Sequence, residues 1–119
     1  MKILVCEDSL MTQKTIEYTL VRNGYEVVNA SDGEEGIRIL SEERIDLVIT
    51  DINMPHNKGL EVVQYIKQKF GGKIPVIVIS SINLEETILH AKELGAMVYL
   101  TKPFNPDDLI YNIQLLTAN

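Results

Sequence analysis

The sequence holds no tryptophan, two phenylalanines and a single cysteine, Cys6. One thiol cannot close an intrachain disulfide, so a disulfide framework is excluded. Two histidines beside that cysteine make no Cys/His cluster of the kind that holds zinc. No apolar run approaches the ~18 residues that a membrane helix requires, and the first residues lack the pattern of a signal peptide. Basic residues are the scarcer charge: 11 Lys+Arg against 17 Asp+Glu give a formal net charge of −6. A surface of that sign repels phosphate backbones, so direct nucleic-acid binding by this chain is not expected. These absences leave one acidic domain over residues 1–119, expected to be cytoplasmic and free of membrane contact. It is long enough to bury about two-thirds of its unfolded surface without disulfides or structural metal.

What is present is a regular alternation. Short apolar runs stand at 2–6, 25–29, 46–50, 76–80 and 97–100. The first, third and fourth are nearly continuous in β-branched residues or Leu, the pattern of parallel strands covered on both faces. Helical spacing fills the intervals, at about 9–23, 33–42, 58–70, 84–94 and from 105 to the end. The punctuation agrees: Asp32-Gly33 before the second helix, Gly71-Gly72 after the third, Gly95 after the fourth. Asn83 and Glu86 read as a capping box for the fourth helix. Asn105-Pro106-Asp107-Asp108 reads as a cap, a proline at the first helical position and two acids against the helix dipole. Five β-α units imply right-handed crossovers and an α/β, doubly wound, five-stranded parallel sheet, too small for an eight-fold barrel. A ligand site is then expected at the carboxyl ends of the strands.

The residues at those ends are chemically distinctive. Glu7 and Asp8 follow the first strand, Asp51 follows the third, Ser80 ends the fourth, and Lys102 follows the fifth. Three converging carboxylates repel one another unless a cation resolves the repulsion. Hard oxygens suit Mg²⁺ or Mn²⁺, which coordinate phosphates as well. Lys102 offers a point charge to a phosphate oxygen and Ser80 a hydroxyl donor. The first strand-to-helix turn is acidic and lacks glycine, so it cannot itself cradle a nucleotide phosphate. Asp51, beside the metal, is the candidate nucleophile, since a carboxylate can form an aspartyl-phosphate.

In this pattern the chain resembles the receiver domains of response regulators, and among them the single-domain, chemotaxis-type regulators of two-component signalling. The resemblance spans nearly the whole chain. It rests on Val5-Cys6-Glu7-Asp8, Thr50-Asp51-Ile52-Asn53-Met54-Pro55 with Gly59-Leu60, Pro75 through Ser81, Gly95-Ala96, and Tyr99-Leu100-Thr101-Lys102-Pro103-Phe104. It implies a flavodoxin-like three-layer (βα)5 sandwich with sheet order 2-1-3-4-5. It implies that Asp51 accepts a phosphoryl group from a phosphohistidine on a sensor histidine kinase or histidine phosphotransfer protein. Asp8, Asp51 and the Asn53 backbone carbonyl would hold Mg²⁺, with Glu7 assisting through water. Ser80 would be the switch hydroxyl, Lys102 the phosphate-contacting lysine before a cis Pro103, and Tyr99 an aromatic rotamer switch. Ile82 stands where the side chain is expected to tune phosphate lifetime.

Other classes fit less well. A metal-dependent phosphohydrolase of the aspartate-nucleophile type commonly has a second Asp two residues on, where this chain has Asn53, which cannot transfer a proton at neutral pH. A flavin- or nucleotide-binding domain is disfavoured by the acidic first loop and the missing tryptophan. A purely structural module has no use for three acids, a hydroxyl and a lysine at the strand ends. The expected activity is therefore not enzymatic beyond self-phosphorylation and autodephosphorylation at Asp51. In the last helix Leu109, Ile113 and Leu116 form the inward stripe, while Tyr111 and Leu115 project away from it. With Leu84, Ile88 and Leu89 of the fourth helix they are the candidate output face, for a downstream effector domain or protein or for a homodimer formed on phosphorylation. Cys6, ending a core strand, is expected to be buried and inert. His90 is expected on a helix surface and His56 in a solvated loop.

Overall fold

The computed structural model describes residues 1–54 and 58–118, with Lys58 described by its backbone alone. His56 and Pro55 lie outside the described residues. The chain runs β1 (Lys2–Cys6), α1 (Leu10–Arg22), β2 (Glu26–Ala30), α2 (Gly33–Glu42), β3 (Leu47–Thr50), α3 (Lys58–Phe70), a 3-10 turn (Gly71–Lys73), β4 (Val76–Ser80), α4 (Glu85–Leu94), β5 (Val98–Thr101) and α5 (Pro106–Thr117). All four strand pairings are parallel, in the order β2-β1-β3-β4-β5. This is the five-stranded doubly wound sheet that the alternation and the resemblance imply.

Alternation along each strand divides the interior into two cores. Ile3, Val5, Leu47, Ile49, Ile77 and Ile79 face Ile16 and Leu20 of α1 and Leu109 and Ile113 of α5. Leu4, Cys6, Val48, Val76 and Val78 face Ile39 and Leu40 of α2, Val62, Val63 and Ile66 of α3, and Ala91 of α4. Leu116 packs at the margin of the first core, completing the inward stripe on α5. Because both faces are covered, β1, β3 and β4 carry no polar alternation.

Most helix ends carry the caps their sequences call for. Ser9 Oγ accepts from the Thr12 N–H, Asp32 Oδ1 from Glu35 and Asn105 Oδ1 from Asp107. Gly95, with φ +129°, closes α4, a conformation that L side chains rarely adopt. The start of α4 departs from expectation. Leu84 occupies the N-cap, and no side chain caps the helix. Asn83 lies one residue too early to do so, and only the first-turn Glu85 and Glu86 complement the dipole. Small shifts occur elsewhere: β2 and β5 run one residue further than the apolar runs suggest. β3 starts at Leu47; just before it the Asp46 N–H donates to Lys2 O at 2.9 Å and its carboxylate accepts from the Lys2 N–H at 2.8 Å. Among the described residues no helix is long and apolar enough to cross a membrane.

Candidate functional site

The sheet itself places the site residues. β1 has β2 on one side and β3 on the other, so the order reverses there and a crevice opens at the strand ends. Each key residue is one step past its strand, and its N–H still bonds the neighbouring strand. The Glu7 N–H donates to Ala30 O at 3.0 Å, that of Asp51 to Cys6 O at 3.0 Å, and that of Lys102 to Ser80 O at 2.8 Å. Three backbones are thus pinned by sheet hydrogen bonds before any side chain acts.

The side chains converge. Lys102 Nζ lies 2.7 Å from Glu7 Oε1 and 2.7 Å from Asp51 Oδ2. The second oxygen of each acid is also engaged: Glu7 Oε2 accepts from the Ser9 N–H at 3.1 Å, and Asp51 Oδ1 from the Asn53 N–H at 2.8 Å. Glu7 and Asp51 are buried, while Asp8 is exposed at the mouth. Burial raises the Glu7 pKa above the ordinary carboxylate range, against the pull of Lys102 and the Ser9 N–H, with the Asp51 charge adding to the rise. For Lys102 burial works the other way, but its hydrogen bonds to Asp51 and Glu7 prevail and raise its pKa. One ammonium thus serves two buried carboxylates.

Glu7, Asp8 and Asp51 each offer an oxygen, all within 4.8 Å of one another. An all-oxygen donor set, closed on the protein side and open at Asp8, fits a hard divalent cation that keeps water ligands. The sequence-predicted acids and Lys102 are therefore brought together, and Asn53 reaches the group through its backbone N–H.

Ser80 is fully buried at the end of β4. Its Oγ accepts from the Ile82 N–H at 3.1 Å, which leaves the hydroxyl proton free to donate. The carbonyl of the same residue, Ile82 O, accepts from Tyr99 Oη at 2.8 Å. One residue's backbone therefore ties Ser80 and Tyr99 together. Ile82 and Tyr99 are part-buried and packed on the α2–α4 core. The Lys102–Pro103 peptide is cis.

Several contributors carried no assigned role in the sequence. A Cβ on Gly59 would stand 2.2 Å from the Asp51 carbonyl oxygen and 2.4 Å from Ile52 Cα. Only glycine lets the first turn of α3 seat on the backbone that carries Asp51. A glycine inside a helical stretch, where propensity disfavours it, was the available signal. Gln13 Nε2 donates to Glu7 O at 3.2 Å, and Thr50 Oγ1 to Asp51 O at 2.9 Å; nothing local in the sequence marks either. Gly36 makes room for Cys6 Sγ, which would lie 2.6 Å from an added Cβ. Cys6 is buried, and burial pushes its thiol pKa up to about 12, so it stays protonated and unreactive. His90 is exposed on α4.

The candidate output face falls into two parts. Leu84 and Leu89 are exposed and line a shallow depression on α4 with Glu85 and Glu86, and Ile88 is half-buried beside them. Tyr111 is exposed but lines a cleft with α1, on the other side of the sheet from α4, and Leu115 is exposed one turn beyond it.

The family model for the response regulator receiver domain matches residues 3–114. The alkaline phosphatase synthesis transcriptional regulatory protein PhoP of Bacillus subtilis is 35% identical over 108 residues, covering 91% of this chain and 45% of that protein. The chain spans about half the length of the curated relatives it matches. The chemotaxis protein CheY4 of Vibrio cholerae superposes with a TM-score of 0.88 at 33% identity, over 97% of each chain. The response regulator TrrA of Thermotoga maritima, solved in complex with Mg(2+)-BeF, gives 0.87 at 31% identity over 97% of each chain. Sheet order, site geometry and these likenesses agree: the chain belongs to the response regulator receiver family, the phosphorylation-dependent signalling module of two-component systems.

Proposed function

We propose that Asp51 is the phosphoacceptor and that its phosphorylation by a phosphohistidine, on a sensor histidine kinase or histidine phosphotransfer protein, switches this domain between partner-binding states. The observation that carries the reading is the Asp51 carboxylate itself. It is buried at the switch point of the sheet, 2.7 Å from Lys102 and grouped with Glu7 and Asp8 within 4.8 Å. A carboxylate oxygen of Asp51 attacks phosphorus, a P–O bond forms as the P–N bond breaks, and the imidazole leaves and takes up a proton. Mg²⁺ (or Mn²⁺), when bound, neutralises charge on the transferring group; Asp8, Asp51 and the Asn53 carbonyl would hold it, with Glu7 assisting through water. TrrA, a relative, is known with Mg(2+)-BeF, which supports the same chemistry here.

The switch follows from the hydrogen bonds around Ile82. A phosphoryl oxygen on Asp51 is a stronger acceptor than any group now available to Ser80. The Ser80 hydroxyl turns to donate to it, its bond with the Ile82 N–H weakens, and the Tyr99–Ile82 tie changes with it. Lys102 follows the new charge. The displacement reaches the start of α4, where no side chain holds the helix, and so the face that carries Leu84, Ile88 and Leu89. The partner is an effector domain or protein, or a second copy brought together by phosphorylation. The domain turns over no external substrate; water attacking the acyl phosphate restores Asp51. Residues 1–119 act as one receiver unit, placed in the cytoplasm with its kinase.

Incubation with Mg²⁺ and a small acyl-phosphate donor should add one phosphoryl mass to the intact chain, and Asp51→Asn should add none. Retention of that mass in Asp51→Asn overturns the assignment.

A further inference from the structure

Among the described residues five polar or charged side chains are buried: Glu7, Thr19, Thr50, Asp51 and Ser80. Glu7, Asp51 and Ser80 belong to the site described above. Thr19 returns its hydroxyl to its own helix, at Thr15 O, 3.0 Å away. Thr50 is left. It is 0% exposed and ends a strand that is otherwise apolar, Leu47-Val48-Ile49-Thr50. Burying a hydroxyl costs free energy unless a partner compensates, and valine has nearly the same shape. What sets Thr50 apart from a valine is where its hydroxyl goes.

Thr50 Oγ1 donates to Asp51 O at 2.9 Å, which uses its one proton. Cys6, the register partner of Thr50 on β1, hydrogen-bonds to the same hydroxyl. With the threonine proton already given to Asp51, the thiol supplies the proton of that second bond. A short buried chain therefore runs from the Cys6 thiol through the Thr50 hydroxyl to the Asp51 carbonyl. The first turn of α3 closes on the same carbonyl, since a Cβ on Gly59 would stand 2.2 Å from it. A hydroxyl and a helix turn thus hold one backbone oxygen.

Because the peptide group is planar, fixing that oxygen fixes the plane of the 51–52 peptide. The turn that follows depends on this plane. The Asn53 N–H comes back to Asp51 Oδ1 at 2.8 Å, and with Oδ1 so engaged Oδ2 meets Lys102 Nζ at 2.7 Å. Ile52 and Met54 anchor the loop in the α2–α3 core. They set its depth, whereas the rotation of the peptide plane is set at its carbonyl. We propose that Thr50 is a positioning residue for phosphoryl transfer: its hydroxyl fixes the peptide plane after Asp51 and so decides which carboxylate oxygen Asp51 presents to Lys102 and to the incoming phosphorus. Thr50 itself touches no reacting atom. The role rests on Asp51 being the phosphoacceptor, and a small misplacement of a nucleophile is enough to lose rate steeply.

Two pairs of chains that differ mainly in the hydroxyl test it: wild type against Thr50→Val, and Thr50→Ser against Thr50→Ala. For each full chain the initial rate of Asp51 phosphorylation by a small acyl-phosphate donor is measured at saturating Mg²⁺, together with the urea midpoint. Loss of the hydroxyl should slow phosphorylation by on the order of tenfold in both pairs. Stability should follow a different order. Thr50→Val keeps the packing of the methyl, whereas Thr50→Ser loses a buried methyl and unfolds at lower urea, yet Thr50→Ser should be the faster of the two. Amide hydrogen exchange at Asn53 should speed up in Thr50→Val and Thr50→Ala, with Ile49 in β3 unchanged. Should Thr50→Val not fold, the Ser–Ala pair decides. Rates that track the urea midpoints and not the hydroxyl overturn the proposal, as does Asn53 exchange that stays the same. A wild-type chain that takes no phosphoryl group on Asp51 overturns the proposed function and this role with it; equal rates in the wild-type and Thr50→Val chains overturn this role alone.

Discussion

Ile49 and Ile77, in the central strands, are at most 1% exposed, whereas all four residues of β5 are partly exposed and α4 buries only Ala91 of its ten residues. The carboxylates Glu7 and Asp51 come off the dense centre, and so does Ser80, at the very end of β4. Tyr99 and the loop it tethers lie on the sparse edge. Groups that must meet a metal and a phosphorus atom need positions fixed within a fraction of an ångström, and a close-packed core supplies that. Elements that must move on a signal need few buried contacts to give up, since local opening costs follow those contacts. Rigidity and response are thus separated across two strands of one sheet, and Lys102 and Ile82 join them.

The contrast has measurable consequences. Ile77→Ala should cost about 2–5 kcal/mol in urea unfolding, from lost burial and the cavity left behind. Val98→Ala, on β5, should cost clearly less; an equal cost breaks the comparison. Gly59→Ala should cost about 1–3 kcal/mol, because the new Cβ has to displace the Asp51 and Ile52 backbone. It should also slow Asp51 phosphorylation by a small donor, which separates it from a merely less stable variant such as Ile77→Val.

Tyr99→Phe removes one hydrogen bond and keeps the ring. The expected cost is about 1 kcal/mol, with faster hydrogen exchange at Ile82 through Ile88 and unchanged protection in β3. Uniform acceleration across the sheet would mean that the edge is not a separate unit. The smallest effect concerns pH. The hydrogen bonds to Asp51 and Glu7 hold the folded Lys102 pKa above the ordinary lysine value of 10.5, so its stabilisation is complete below that value and is lost as pH rises through the folded pKa. Lys102→Gln should flatten this alkaline limb of the stability curve, measured by unfolding at stepped pH, while variants on α4 leave it intact.

Legibility in the sequence followed the same division. The continuous runs of β1, β3 and β4 were unambiguous because strands buried on both faces need apolar residues at every position. The acids, Ser80 and Lys102 were legible because a parallel sheet collects its strand ends at one edge, so their places in the sequence foretold their meeting. The start of α4 was not legible. Asn83 and Glu86 satisfy a capping pattern, yet Leu84 stands at the cap of α4 and Asn83 one residue before it. Tyr111 was expected to side with α4, but its rotation about the α5 axis turns it toward α1, a matter of how two helices cross.

From the sequence alone follow the β-α alternation, the two-faced core and the identity of the groups that gather at the site, because periodicity and strand order are local or topological properties. The tertiary structure decided what those groups do to one another. It alone placed one ammonium 2.7 Å from two buried carboxylates, seated α3 on Asp51 through Gly59, and hung Ser80 and Tyr99 on one residue's backbone. Such contacts join residues as far as 95 apart in the chain, and their geometry depends on packing that local sequence does not encode.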